Sequence, residues 1–183
     1  MTSQFAIRLA AHHIRNSGII IYPTETVYGL GCDPGDQQAV KNLNIIKQRE
    51  KHSGFLLLAS SLDQLSDYIT TPDQKAIDTI NSANVPTSWI TSAEKNAPPW
   101  LISPDGTIGF RITTHVVTKK LCEQLGHPIT STSANIKGGK PVSNTLQCHQ
   151  QLTGAFDYLL TSNMQRSETP SVIRILSTGQ QLR

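Results

Sequence analysis

Residues 19–31 read Ile19-Ile20-Ile21-Tyr22-Pro23-Thr24-Glu25-Thr26-Val27-Tyr28-Gly29-Leu30-Gly31. The apolar run is short enough for a buried strand, and Pro23 has no N–H to give a ladder, so pairing is predicted to fail there. The turn that follows carries hydroxyls and a carboxylate, then two glycines one residue apart. It therefore stands at the mouth of a sheet, where ligands of open α/β folds settle. A lone Gly-x-Gly more often marks an ordinary turn, so its meaning depends on what lies downstream.

The rest of the pattern alternates helices and strands. Ala6, Leu9, Ala10 and Ile14 recur at helical spacing and Asn16-Ser17-Gly18 supplies a stop. A strand over residues 19–22 follows. Asp36 is an N-cap for a helix whose apolar stripe is Ala39, Val40, Leu43 and Ile46, which delivers Lys47 and Arg49 to its C-terminal end. Residues 55–59 form a second buried strand. One helix is predicted over 62–69 and another opened by Thr71-Pro72. Strands follow over 87–91 and 107–113, a helix over 116–125 ending at Gly126, a short strand over 128–131, and a helix over 146–152. Residues 158–161 and 172–176 close the pattern as strands. No repeat or linker interrupts it, and the prediction is one α/β domain over residues 1–183 with a mixed sheet.

The chain has 183 residues, enough for a proper core. No apolar stretch approaches a membrane span, and the first residues show neither a basic leader nor a long apolar segment, so neither a membrane anchor nor a signal peptide is expected. Cys32, Cys122 and Cys148 are odd in number and lack Cys-x-x-Cys spacing, which predicts buried thiols in a reducing cytoplasm. The histidines do not fall at ligand spacing with them, so no metal site is expected. A net charge of +3 is compatible with anionic ligands and too small to prove nucleic-acid binding.

Common nucleotide motifs are excluded. A dinucleotide fingerprint needs a third glycine where Pro34 stands, and Asp36 comes too early to meet a ribose. Gly139-Lys140 is followed by Pro141, which rules out a P-loop, and there is no Gly-x-Ser-x-Gly elbow.

Three groups look chemical. Lys47 and Arg49 lie in a stretch where Lys41, Lys51 and His52 are opposed by Glu50 alone. A rigid fork beside a mobile ammonium suits a polyphosphate, although cations also collect at ordinary helix ends. Ile129-Thr130-Ser131-Thr132-Ser133-Ala134-Asn135 opens a strand into four hydroxyls and an amide, which serve either as phosphate donors or as a capping turn. In residues 107–111, Thr107, Gly109 and Arg111 share one face by alternation. A ligand can approach over the glycine and meet the arginine; the duller reading is a surface arginine on an exposed sheet face.

Together with Pro170-Ser171-Val172-Ile173, these strings stand in the order found in the YrdC-type threonylcarbamoyl-AMP synthases, which the chain resembles almost end to end. The resemblance implies a strongly twisted mixed sheet flanked by helices around a basic concave cavity. It implies formation of threonylcarbamoyl-AMP and pyrophosphate from L-threonine, bicarbonate and ATP with Mg²⁺, a nucleotidyl transfer. The product would pass to a downstream tRNA threonylcarbamoyl-transferase complex that modifies adenosine 37. Carried over, Thr24, Thr26, Arg111 and Ser171 would hold threonine. Lys47, Arg49, Ser53, Thr107, Ser131, Ser133, Asn135 and Arg183 would hold ATP, with Lys47, Arg49, Ser133 and Asn135 central to the chemistry. The chain departs from the family pattern at Glu50, where proline is common, and at Asn84-Val85-Pro86-Thr87, which shortens a Trp-Pro-Gly-Pro turn.

Because the carbamate made from threonine is itself the nucleophile, the protein needs no nucleophilic side chain, only positioning and charge stabilisation. Two other readings compete. One is a non-catalytic module that uses the same basic cavity to bind tRNA or rRNA, with direct tRNA or double-stranded RNA contact, although 5% aromatic residues leave few stacking platforms. The other is carbamoyl-adenylate chemistry on a different acceptor, as in the similar domain of hydrogenase-maturation carbamoyltransferases.

Overall fold

The computed structural model describes residues 2–48, 54–136, 139–142, 144–162 and 171–182. Its elements are α1 (Gln4–Arg15), β1 (Ile20–Tyr22), β2 (Gly29–Gly31), α2 (Gln37–Lys47), β3 (Leu56–Ala59), α3 (Gln74–Asn81), β4 (Thr87–Ser92), β5 (Thr107–Ile112), α4 (Val116–Leu125), β6 (Ile129–Ser133), α5 (Thr145–Leu152), β7 (Tyr158–Leu159) and β8 (Val172–Ile175). The strands form one mixed sheet in the order β7-β1-β2-β6-β3-β5-β4-β8. β1 stops at Tyr22, as Pro23 requires.

Successive side chains of a strand face opposite ways, and two core clusters follow from this. On one face, Ile7, Ala10, Ala11 and Ile14 of α1 and Leu121, Cys122 and Leu125 of α4 pack on Ile20, Tyr22, Leu58 and Ile129. On the other, Ala39, Val40 and Leu43 of α2 and Cys148 and Leu152 of α5 join Ile21, Leu30, Leu57 and Phe110. Burial on both faces is why β1 and β3 read as unbroken apolar runs. The three thiols are free and buried. Burial pushes Cys32 and Cys122 up to about 12 and Cys148 to about 11, so they stay neutral.

Four expectations change. Gly29-Leu30-Gly31 is a strand and not a turn, pairing antiparallel with β1 and with β6. Its glycines answer close packing: a Cβ on Gly31 would lie 1.8 Å from the Thr130 carbonyl oxygen, and one on Gly29 2.7 Å from the Tyr22 ring. β6 continues through Ser133, two residues beyond the expected strand over 128–131, so Thr132 and Ser133 also sit on the strand rather than in a loop. The segment 62–69 makes only a 3-10 turn at Asp63–Leu65, because Ile69 bridges Ala93 and Thr70 donates to the Ser92 carbonyl, which draws the chain out alongside β4. Finally, α3 starts after Asp73, whose carboxylate accepts from the Ala76 amide; Pro72 therefore precedes the cap instead of opening the helix.

Candidate active site

Cross-strand partners share a face, so the register specifies which side chains meet. Gly29 opposes Ser133, Leu56 opposes both Ser131 and Gly109, and Gly109 opposes Ile90. Leu58 opposes Arg111 and Ile129, and Ser88 opposes Ile173. Leu58 and Ile129 lie under α1 and α4. The same sheet face continues past those helices, where it floors a cavity of about 600 Å³. Its walls include Thr24, Thr26, Tyr28, Gly54, Ser103, Pro141 and Ser171. Gly109 leaves room on this floor, since a Cβ there would come within 3.2 Å of Ile90 and 3.3 Å of Leu56.

One end is built around Arg111. Its Nε and Nη2 both donate to Ser88 Oγ, at 3.1 and 2.6 Å, and its Nη1 lies 3.7 Å from Glu25 Oε2. Nearby, Thr24 Oγ1 donates to the Val27 carbonyl at 2.6 Å and accepts from the Thr26 amide at 3.2 Å, closing a tight hydroxyl turn. Glu25 Oε1 accepts from Thr113 Oγ1 and the Thr114 amide, both at 2.7 Å, and from the His115 amide at 3.1 Å. Burial alone would raise this carboxyl. The Thr113 hydroxyl, the backbone amides and the Arg111 guanidinium outweigh burial and hold it below its ordinary 4.5.

The other end is the bend after β6. Asn135 Oδ1 accepts from Ser133 Oγ at 2.8 Å, and Asn135 Nδ2 donates to the Gly139 carbonyl at 2.7 Å. Lys47, the last residue of α2, reaches into this bend. Its Nζ donates to the Ser133 and Asn135 carbonyls at 2.7 and 2.6 Å and to Asn135 Oδ1 at 2.6 Å. An ammonium has three N–H donors, and the bend engages all of them. The αL conformation of Gln48 ends α2 directly behind it.

Of the residues singled out in the sequence, Thr24, Thr26, Arg111, Ser131, Ser133 and Ser171 line the cavity. Lys47 and Asn135 are bonded to its Ser133 wall. Thr107 shares the face of Gly109 but is not a lining residue, and its hydroxyl donates to Asp105 Oδ1 at 2.7 Å. Arg49, Ser53 and Arg183 lie outside the described residues. Among the described lining residues Arg111 is the only cation and none is a carboxylate. Two residues were not anticipated. Ser88 is a small polar residue within a strand pattern and carries no signal of its own. Glu25 sits in the opening string, but its hydrogen-bond donors are 88 to 90 residues away.

An open mixed sheet with one face half covered by helices and half left as a hydroxyl-rich cavity defines an α/β protein that handles small polar ligands. The family model Sua5/YciO/YrdC, described as "Telomere recombination", matches residues 12–183. A threonylcarbamoyl-AMP synthase of Nitrosococcus oceani is 38% identical over 180 residues, covering 97% of this chain and 96% of that protein. The crystal structure of P. abyssi Sua5 complexed with L-threonine matches with a TM-score of 0.88 at 24% identity; the match covers 98% of this chain and 53% of that one, so the chain spans about half its length. E. coli YciO matches with a TM-score of 0.83 at 26% identity over 99% of this chain and 89% of that one. The chain belongs to the Sua5/YciO/YrdC family.

Proposed function

We propose that this protein is a threonylcarbamoyl-AMP synthase. The observation that carries the reading is the convergence of Arg111 and the Lys47-held bend on one cavity. In this reading threonine occupies the Arg111 end, with Thr24, Thr26 and Ser171 around it, and ATP lies along Ser131, Ser133 and Asn135. Relatives named threonylcarbamoyl-AMP synthase, with full-length coverage, support the same assignment. A volume of about 600 Å³ fits small ligands and falls within the usual range for ligand sites.

The chemistry asks little covalent work of the protein. The threonine amine and bicarbonate condense to a carbamate with loss of water. A carbamate oxygen then attacks the α-phosphorus, and the bond to pyrophosphate breaks. Hydroxyls and a held ammonium near the phosphates stabilise the charge that moves to the leaving group. The lining offers hydroxyls rather than carboxylates. That donor set suits a Mg²⁺ that arrives on the nucleotide with much of its water shell. The product then passes to the complex that threonylcarbamoylates tRNA. An RNA-binding module is not favoured, because the site is a cavity of small-molecule size whose described lining has two aromatic residues, Tyr28 and Phe55, both almost fully buried and so poor stacking platforms.

Incubation with ATP, L-threonine and bicarbonate is expected to release pyrophosphate and accumulate threonylcarbamoyl-AMP, with neither appearing when any substrate is omitted. Pyrophosphate release that ignores threonine would instead point to another acceptor.

A further inference from the structure

Glu25 stands between two residues that line the cavity but does not line it itself. One of its carboxylate oxygens is saturated by hydroxyl and amide donors from residues 113–115. The other lies 3.7 Å from Arg111 and, among the described residues, accepts no hydrogen bond. The first oxygen pins the turn of residues 24–26 to the start of α4, and the Thr118 hydroxyl of that helix also donates to the Pro23 carbonyl. The second sets a fixed negative charge behind the guanidinium, which Ser88 holds from its other side.

We propose that Glu25 is the positioning residue of the amino-acid end, and that its charge makes this end select a zwitterionic amino acid over a plain carboxylate. An isolated buried guanidinium attracts any carboxylate strongly. A carboxylate close behind it cancels much of the net charge and leaves a local dipole, with Arg111 as its positive pole. A zwitterion keeps the attraction at its carboxylate without presenting net charge to Glu25. A ligand carrying net negative charge meets a site of little net positive charge and is disfavoured, so the specificity comes partly from repulsion.

The inference rests on the reading that the amino acid occupies the Arg111 end, and the test separates the two. L-threonine and 2,3-dihydroxybutyrate, which lacks the amine, are titrated into the protein at pH 7. The wild type is expected to bind threonine at least about tenfold more tightly than the deaminated acid, the scale of a single well-placed charge effect. Glu25→Gln is expected to shrink that ratio at least about threefold while ATP affinity stays within about twofold. Glu25→Asp keeps the charge but shortens the reach; it is expected to weaken both ligands and preserve the ratio. Equal binding of the two ligands by the wild type overturns the inference without any variant, as does a Glu25→Gln ratio that does not change. Failure of the wild type to bind threonine at all would overturn the functional reading itself.

Discussion

Lys47→Met is expected to lower turnover on the order of 10²-fold or more, the scale seen when a charge-stabilising group is removed from an active site. Methionine keeps most of the side-chain volume, so α2 has no packing reason to shift. It removes three charge-assisted bonds of 2.6–2.7 Å and leaves the Ser133 and Asn135 carbonyls without that donor. Ser133 is a wall of the cavity, and its hydroxyl direction depends on the Asn135 oxygen that Lys47 also grips. Steady-state kinetics against ATP and against threonine check the outcome. The KM for ATP is expected to rise and kcat to fall, while threonine binding without nucleotide persists. Activity within about threefold of wild type would mean that the bend needs no cation.

The second large effect lies in the sheet and not among the ligands. Gly31→Ala places a methyl group 1.8 Å from the Thr130 carbonyl oxygen, a backbone atom that cannot swing aside. β2 and β6 must separate to admit it, and β2 joins β1 to β6. Tyr22 is held there as well, its buried hydroxyl donating to that same Thr130 oxygen at 2.9 Å. Overpacking of a tight site costs up to about 3 kcal/mol and occasionally more. For a chain of this size that corresponds to a fall in Tm of about 6–12 °C. Thermal unfolding of Gly31→Ala beside the wild type measures it; an unchanged Tm would show that the strands yield without cost.

These two residues also show what the sequence made visible and what it hid. The bounds of α4 were legible because an apolar stripe runs into Gly126, whose φ of 82° suits glycine. β1 and β3 were legible because burial on both faces leaves unbroken apolar runs. β2 was not, since the glycines that let it pass Tyr22 and Thr130 give no strand signal and look like a turn. The 62–69 segment had helical periodicity, but pairing of Ile69 with Ala93 is a tertiary fact that no local pattern carries.

The candidate site divides in the same way. Arg111 was legible from alternation, because its face is set by Ile108 and Phe110 being buried on the other. The grip of Lys47 on Asn135 was not, since it spans 88 residues and depends on where α2 ends. Thr107 illustrates the limit of alternation. It shares the correct face, yet its hydroxyl donates its hydrogen bond to Asp105, two residues earlier.

One measurement bears most directly on the claim that a nucleotide and an amino acid share this cavity. ATP is titrated calorimetrically into the protein alone and into protein saturated with L-threonine. The account predicts that ATP binds in both cases with affinities that differ, and that threonine affinity changes by the same factor when the order is reversed. Identical ATP affinity with and without threonine would place the two ligands in separate sites and contradict the account.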